Sequence, residues 1–426
     1  MKILKKSGEI RNFLSCLTAR ASGSTDGVEE VVKEILSDVK SHGDRSVLRY
    51  TEKFDRLKIK DLRIKPTEIA KYANSADKQI VRALELSAAR IRAFHEIQKA
   101  ESWSFSENET ILGQIMRPLE RVGVYIPGGK ASYPSTVLMN VIPAQVAGVE
   151  EISLCVPSPH GDVSPSVMAA IQMLGIKEVY RIGGAQAIGA MAYGTKAIRR
   201  VDKIVGPGNI YVATAKKQVF GEVDIDMIAG PSEILIIADK TANPVFIAAD
   251  LLSQAEHDEL ASSILITESA SLAVAVRREL VAQNSQLERK SIIERSLSNY
   301  GAIIITRNIR EAVRLANEIA PEHLEVMTEK PFDLLPLIKN AGAIFLGQWT
   351  PEPMGDYAAG PNHTLPTGGT SRFFSPLGVY DFMKRSSILS FSKEGFMELA
   401  KTVITLAETE GLNAHGNSVR VRYEKA

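Results

Sequence analysis

The chain has 426 residues, of which 45% are hydrophobic and 24% are charged, a composition typical of globular proteins. Its 51 basic and 50 acidic residues leave a formal net charge of +1, so no basic excess favours a nucleic-acid partner. No stretch reaches the roughly 18 apolar residues that a membrane helix needs, and no signal-peptide pattern follows the first lysines. We therefore expect a cytoplasmic protein that binds neither nucleic acid nor a membrane.

The predicted elements change in character along the chain. The first hundred residues are predicted to be mainly helical, because VEEVVKEILSDVK (28–40) and the segment 78–100 place apolar residues at helical spacing. From about residue 120 onward, short β-branched runs alternate with helices of about 10–15 residues, the pattern of parallel βαβ units. One series starts at VGVYIPG (122–128), and a second runs from EILIIAD (233–239) to GAIFLG (342–347). We therefore expect an α/β fold with two incomplete Rossmann-like parallel-sheet domains and small helical segments at both ends.

The chain has only two cysteines, Cys16 and Cys155. They form no CxxC motif, and both lie in runs that predict small apolar packing residues. A mechanism based on a thiol is therefore disfavoured.

A carboxylate and an imidazole lie side by side at Glu322 and His323. The helix predicted over 308–320 ends just before them at Pro321, because proline breaks the helical hydrogen-bond pattern. Imidazole titrates near neutral pH, so the pair is suited to moving protons at a helix end or loop. Adjacent Glu and His are common, and a solvated helix terminus is the alternative reading.

A second group of residues suits a metal ion. Gln254 and His257 are three residues apart at the end of a predicted helix, so they project from one face. Asp356 lies in a long Gly- and Pro-rich loop (349–374), and His415 lies just past a helix end. One amide, one carboxylate and two imidazoles suit Zn²⁺, or a similar divalent ion, at an open site with room for substrate.

Eight segments, in the same order along the chain, resemble histidinol dehydrogenases, and the resemblance covers essentially the whole sequence. They are DVKSHGDRSVLRYTEKFD (38–55), YIPGG (125–129), VGPGN (205–209), AGPSEI (229–234), SQAEHD (253–258), PEHLE (321–325), GDYAAGPNHTLPT (355–367) and EGLNAHGN (410–417). The resemblance implies an NAD- and zinc-dependent enzyme that oxidises L-histidinol through L-histidinaldehyde to L-histidine. It further implies a homodimer with shared active sites and one zinc ion per subunit.

The resemblance also implies roles for individual residues. The expected zinc ligands are Gln254, His257, Asp356 and His415, and the expected acid/base residues are Glu322 and His323. The substrate would contact these six residues and also Ser232, Glu410 and His363. NAD would lie near Tyr125, Gln186 and Asn209.

The resemblance also implies the domain boundaries. An N-terminal helical arm covers 1–22, and a discontinuous first α/β domain over 23–120 and 233–375 carries most metal and acid/base residues. A second α/β domain over 121–232 forms the NAD side, and a C-terminal helical segment over 376–426 contributes to the partner's site.

The chemistry agrees with these roles. Oxidation of an alcohol by hydride transfer requires a base for the hydroxyl proton, a task that suits His323. Oxidation of the aldehyde requires its hydrate, and Glu322 can polarise the water without a catalytic cysteine. The metal would serve as a template that holds the substrate's amine and imidazole. The glycine turns at 182–190 and 204–209 do not match GxGxxG, so on their own they favour packing turns, and only the resemblance makes them NAD contacts.

Three alternatives remain open from the residues. A related NAD and zinc dehydrogenase of another polyol or amino alcohol would keep the machinery and change the substrate contacts. A zinc hydrolase would use Glu322 on a metal-bound water, but it leaves the glycine turns without a role. A non-enzymatic metal-binding protein is disfavoured because the ligand set is open and accompanied by an acid/base pair.

Overall fold

The structure, a computed structural model, describes residues 1–21, 27–107, 109–128 and 132–425. The predicted boundary between residues 22 and 23 and the last residue of YIPGG, Gly129, lie outside the described residues. Within those ranges, no helix is long and apolar enough to cross a membrane.

The strands, in chain order, are β1 (Lys2–Leu4), β2 (Trp103–Glu107), β3 (Thr110–Pro118), β4 (Arg121–Tyr125), β5 (Glu151–Cys155), β6 (Glu178–Tyr180), β7 (Lys203–Val205), β8 (Asp224–Ile225), β9 (Glu233–Ala238), β10 (Ser262–Thr267), β11 (Gly301–Ile305), β12 (His323–Met327), β13 (Ala343–Leu346) and β14 (Met383–Phe391). The α-helices are α1 (Ser7–Ala21), α2 (Val28–His42), α3 (Asp44–Asp55), α4 (Pro66–Ala73), α5 (Lys78–Glu96), α6 (Pro134–Ala147), α7 (Pro165–Met173), α8 (Gly184–Tyr193), α9 (Ile210–Val219), α10 (Pro244–Ala255), α11 (Ala270–Asn284), α12 (Lys290–Tyr300), α13 (Ile309–Ile319), α14 (Glu352–Tyr357), α15 (Lys393–Thr409) and α16 (Asn413–Tyr423).

A six-stranded parallel sheet has the order β1-β11-β10-β9-β12-β13. Its central strand β9 (EILIIA) is buried along its whole length, since Ile234 and Ile236 pack into one core while Leu235 and Ile237 pack into the core on the other face. Helices on both faces explain this continuous apolar run, because a covered parallel strand has no solvent side.

A five-stranded parallel sheet has the order β6-β5-β4-β7-β8. The chain moves outward from β4 to β5 and β6, then returns to the other side of β4 as β7. The strand order therefore reverses between β4 and β7, and the carboxyl ends of two such strands form the crevice in which open α/β sheets bind ligands. The expected α/β class with two parallel sheets is confirmed.

Helices α2 to α5 pack on the helices of the five-stranded sheet. α2 contacts α8 and α9, α4 contacts α7, and α5 contacts α6. Val32, Ile35 and Val47 lie in one buried core with Tyr125 and Tyr180. The expected boundaries had instead grouped residues 23–120 with 233–375. The observed packing follows from the apolar faces of these helices, whose main partners belong to 121–232.

The chain divides into two compact units, of which the first comprises residues 1–98 with 120–382 and the second 99–119 with 383–426. The second unit contains an antiparallel sheet, β14-β3-β2, with α15 packed against α16. The segment 376–426, predicted to be helical, contains α15 and α16 and, before them, the strand β14, which pairs with β3 along nine residues. The sequence pattern did not predict this antiparallel sheet.

Candidate active site

The acid/base pair lies at the amino end of β12, which runs between β9 and the edge strand β13 of the six-stranded sheet. Glu322 and His323 are 7% and 3% exposed, so the solvated-terminus reading is wrong. The carboxylate of Glu322 accepts the backbone N–H of Glu233 at 2.8 Å, and Nδ1 of His323 lies 2.9 Å from the Glu233 carbonyl oxygen. A carbonyl only accepts, so Nδ1 carries the proton and Nε2 is left free. The parallel pairing of β9 with β12 therefore fixes the tautomer.

Gln254 and His257 reach the same edge of the sheet. Helix α10 connects β9 to its parallel neighbour β10, so it must run back toward the amino ends of the strands. Gln254 lies in its last turn and His257 just beyond. Ser232, directly before β9, lies at this edge too, where its carbonyl accepts the N–H of Ser262.

Asp356 is brought to His323 by the short helix α14. One of its carboxylate oxygens is 3.7 Å from Nε2 of His323, and a carboxylate oxygen of Glu352 is 3.9 Å from the same nitrogen. Nδ1 of His363 donates to the Asp356 carbonyl at 3.0 Å, which attaches the loop after α14 to the site. Among the described residues, His323, Glu352 and Asp356 form a group whose ligand atoms all lie within 4.8 Å of one another.

The electrostatics of this group are strongly coupled. Burial alone would lower the pKa of His323, but the carboxylates of Glu322, Asp356 and Glu352 raise it to about 10. Burial raises the pKa of Glu322 to about 7, against the opposing effect of His323. Burial would also raise the pKa of Asp356, but the adjacent His323 side chain lowers it to about 2. An acid and a base with displaced pKa values in one cleft are typical of a catalytic centre.

The residues at the end of α10 fit a metal ion. Gln254 is fully buried, and neither its side-chain oxygen nor its side-chain nitrogen has a hydrogen-bond partner in the described part of the chain. An unmade hydrogen bond in a protein interior is costly, so the amide oxygen is available as a ligand. His257 is accessible at the mouth of the site, and desolvation, opposed by the nearby carboxylate of Asp356, lowers the pKa of its ring. A neutral imidazole is the form that binds a metal.

Three buried carboxyl groups beside this site were not singled out from the sequence. Glu325 lies two residues after His323 on the same face of β12, and its carboxylate accepts the backbone N–H of Glu352 at 2.8 Å. Asp250, one helical turn before Gln254, hydrogen-bonds to Glu325, and burial raises the pKa of both groups. Glu325 therefore ties together β12, α10 and α14, the three elements that carry the site. The sequence shows only the spacing of these carboxyl groups from the site residues within each helix or strand, and that spacing does not predict contacts between different elements.

The remaining predicted residues of this site lie in the second unit. Glu410 caps the end of α15, and His415 lies in the first turn of α16. Both side chains are exposed. Three of the four predicted metal ligands, Gln254, His257 and Asp356, therefore lie in the first unit, at the amino edge of the six-stranded sheet. The fourth, His415, belongs to the second unit.

The predicted NAD contacts lie at the carboxyl edge of the five-stranded sheet. Tyr125 ends β4, and its hydroxyl oxygen accepts the N–H of Gly184 at 3.1 Å. Gln186 follows in α8, 1% exposed, with its side-chain oxygen unpartnered in the described ranges. Asn209 follows β7 and caps α9 by accepting the N–H groups of Tyr211 and Val212. These positions flank the crevice at which the strand order reverses.

A buried ion pair holds the glycine turn after β7. Gly206 has φ of +107°, and a Cβ there would lie 2.1 Å from the Tyr125 carbonyl oxygen, so no other residue fits. Lys216 donates to the Gly206 carbonyl at 3.0 Å and pairs with Asp226, whose carboxylate accepts the Gly206 N–H at 2.8 Å. Both side chains of the pair are 3% exposed or less. The 205–209 turn is therefore held through both the N–H and the carbonyl of Gly206.

Comparison with known proteins agrees with this arrangement. The family model described as histidinol dehydrogenase matches residues 18–423. A histidinol dehydrogenase of Syntrophotalea carbinolica is 55% identical over 412 residues, which cover 96% of each chain. That of Aquifex aeolicus is 54% identical over 420 residues, or 98% of each chain. The crystal structure of histidinol dehydrogenase from Elizabethkingia anophelis superposes with a TM-score of 0.95 at 37% identity, covering 100% of this chain and 98% of that one.

Two parallel sheets and a buried acid/base pair at a strand start define an α/β enzyme, and the relatives make that enzyme an oxidoreductase. More particularly, the chain belongs to the histidinol dehydrogenase family, a family of histidine biosynthesis. The family predicted from the eight sequence segments is thus confirmed.

Proposed function

We propose that this protein oxidises L-histidinol to L-histidine through L-histidinaldehyde, reducing two NAD⁺ at one zinc-containing site. The observation that carries the proposal is the fixed tautomer of His323, because Nε2 is the free lone pair that a proton acceptor needs. The family membership supports the substrate, and the unpartnered amide of Gln254 supports the metal.

His323 would act in the first oxidation. As the hydride leaves the alcohol carbon for NAD⁺, Nε2 takes the hydroxyl proton, which gives the aldehyde, NADH and imidazolium. A base must start neutral, whereas the surrounding carboxylates raise the pKa of His323. A cation held by Asp356 would offset the charge of that carboxylate and so lower the pKa of His323. This requires the metal to lie next to the base, and the Asp356 carboxylate is 3.7 Å from Nε2 of His323.

Glu322 would act in the second oxidation. It takes a proton from the water that adds to the aldehyde carbon, and the resulting hydrate transfers its hydride to a second NAD⁺ to give the carboxylate. Burial raises the pKa of Glu322 to about 7, which brings the group into the range useful for general base catalysis near neutral pH. Cys155, fully buried with its pKa raised by desolvation, does not suit a covalent alternative.

We further propose that Gln254, His257 and Asp356 hold the zinc ion together with His415 of a second copy of the chain. Bound zinc would orient the amine and imidazole nitrogens of the substrate. Ser232, His363 and Glu410 would contact the substrate around it. Tyr125, Gln186 and Asn209 would contact NAD.

The homodimer is supported by an exposed apolar stripe on α15. Leu399, Val403 and Leu406 recur at helical spacing on that helix and are 48%, 42% and 59% exposed. A stripe of this kind marks an interface, and a second copy would cover it while supplying His415 and Glu410. Mixed dimers of His257→Ala and His415→Ala subunits test the shared site, since they should regain about a quarter to a half of wild-type activity. Mixed dimers without activity would contradict it.

The reaction is tested by the NADH formed per L-histidinol consumed, with and without a chelator. Two NADH per substrate, lost on chelation and restored by Zn²⁺, is the expected result. A ratio of one would limit the reaction to the aldehyde, and a substrate other than histidinol would be indicated by greater turnover of another amino alcohol. The His323→Asn variant should keep its zinc and oxidise the alcohol at least 100-fold more slowly. Unchanged turnover would remove His323 from its role.

A further inference from the structure

Asp55 is a partly buried acid that the proposed reaction does not use. It is the last residue of α3, and its Oδ2 atom is shielded from solvent. No hydrogen-bond donor contacts that oxygen anywhere in the described part of the chain. Burial is the one effect that shifts the pKa of this group, and it raises it. A carboxylate oxygen normally has a hydrogen-bond donor when it is buried, so this oxygen lacks the partner that its burial requires.

Asp55 lies at the carboxyl edge of the five-stranded sheet. Helix α3 packs on α8 and on the short 3₁₀ turn Pro159–Gly161, which follows β5. Burial raises the pKa of the Tyr125 phenol, and the nearby carboxylate of Asp55 adds a smaller rise. The Tyr125 hydroxyl, in turn, contacts the first residue of α8, Gly184. Asp55 therefore lies beside residues that the proposed function assigns to NAD.

A second unpartnered acceptor occurs at the same edge. The side-chain oxygen of Gln186, in the first turn of α8, is buried and lacks a donor within the described ranges. Two acceptors without donors define the chemistry of the ligand that would satisfy them, which must present O–H or N–H groups. The adjacent hydroxyls of a ribose provide two such donors, and a carboxylate can accept both.

We propose that Asp55 binds the ribose hydroxyls of the dinucleotide and selects NAD over NADP, an inference that rests on the proposed use of NAD. A carboxylate accepts hydrogen bonds from a ribose diol, whereas the 2′-phosphate of NADP removes one donor and adds negative charge beside it. The segment ending at Asp55 belongs to the sequence motif 38–55, which the metal and acid/base chemistry leave without a role.

This role predicts opposite effects on stability and on binding. A partly buried carboxylate with one unpartnered oxygen destabilises the free protein, so its replacement by a neutral amide should leave stability unchanged or raise it. The same replacement should weaken the binding of NAD. If the role of Asp55 were purely structural, its replacement would instead lower both the stability of the protein and its affinity for NAD.

The test compares Asp55→Asn and Asp55→Ala with the wild type and with Asp61→Asn, a control that removes the same charge from an exposed site. Measured quantities are the dissociation constants of NAD and NADP by fluorescence titration, the KM for histidinol, and the urea midpoint. For both Asp55 variants we expect about 10- to 100-fold weaker NAD binding, a smaller preference over NADP, and an unchanged KM for histidinol. The urea midpoint of Asp55→Asn should equal or exceed that of the wild type.

Unchanged NAD binding and unchanged NADP discrimination in Asp55→Asn would overturn the inference. A lowered urea midpoint accompanied by weaker binding would overturn it as well, because it would indicate a structural role. Wild-type protein that binds NAD but does not oxidise histidinol would refute the proposed reaction, and Asp55 would then be judged on binding alone. Wild-type protein that binds no NAD would refute both.

Discussion

The buried pair of Lys216 and Asp226 gives a prediction in which stability and cofactor affinity can be separated. Replacing Lys216 by Met keeps the length of the side chain and removes its charge, which leaves Asp226 buried without its partner. Breaking one side of such a pair costs roughly 3–5 kcal/mol, because an uncompensated charge remains in a region of low polarity. The carbonyl of Gly206 also loses its donor, a further loss of about 1 kcal/mol.

The double variant Lys216→Met/Asp226→Asn removes both charges. It should recover most of the lost unfolding free energy, since the neutral amide can still accept the N–H of Gly206. The Gly206 carbonyl remains without a donor, so the 205–209 turn is held from one side only. We therefore expect the KM for NAD to stay raised in the double variant, while the KM for histidinol and the zinc content do not change.

The assay is urea unfolding at pH 7 together with initial rates at varied NAD. Lys217→Met is the matched control. Lys217 is the next residue along the chain, and its ammonium group is 60% exposed and pairs with Glu29 at the surface. Surface pairs contribute about 0–1 kcal/mol, so this variant should resemble the wild type. The reasoning would be refuted if Lys216→Met lost less than about 1 kcal/mol, or if the double variant were no more stable than the single one.

The other predictions concern the metal, the pH dependence and the dimer. Gln254→Leu should lose bound zinc while Glu352→Gln retains it, measured as zinc per subunit after gel filtration; the reverse result would move the metal to the group that contains Glu352. Burial raises the pKa of Asp250 from 3.8 to about 6, so its protonated form stabilises the fold below pH 4 and that contribution is lost as pH rises through 6. Asp250→Asn should therefore gain unfolding free energy relative to wild type between pH 4 and 7, by about 3 kcal/mol at most, and a difference independent of pH would contradict this. Leu406→Glu should yield monomers in sedimentation velocity with little activity, and an active dimer would remove α15 from the interface.

Periodicity predicted the two parallel sheets because most of their strands are followed by an α-helix. The antiparallel sheet escaped prediction for a physical reason. WSFSE (103–107) alternates with the period of a strand, but all five of its residues are exposed. The partner of the next strand is β14, about 270 residues further along the chain, and no local pattern encodes such a pairing.

The site shows the same division between local and non-local information. Glu322 and His323 were found because adjacent residues remain adjacent after folding. The carboxylates of Asp250, Glu325 and Glu352 were not found, since each comes from a different element and their proximity exists only in the folded chain. The roles assigned to the metal ligands and NAD contacts stay predictions.

The unpartnered polar atoms of the first unit connect stability with function. Gln254 differs from the other buried groups without partners, such as His95, in that both of its amide atoms lack a hydrogen bond within the described residues. A fold optimised for stability alone would place an apolar side chain there, because an unsatisfied buried amide opposes folding. Binding of a cation by that amide would satisfy it in the native state only, and ligands that bind only the native state raise stability by mass action. The proposed metal ligation would thus explain the glutamine at position 254, and its cost to the free protein should be recovered when the metal binds.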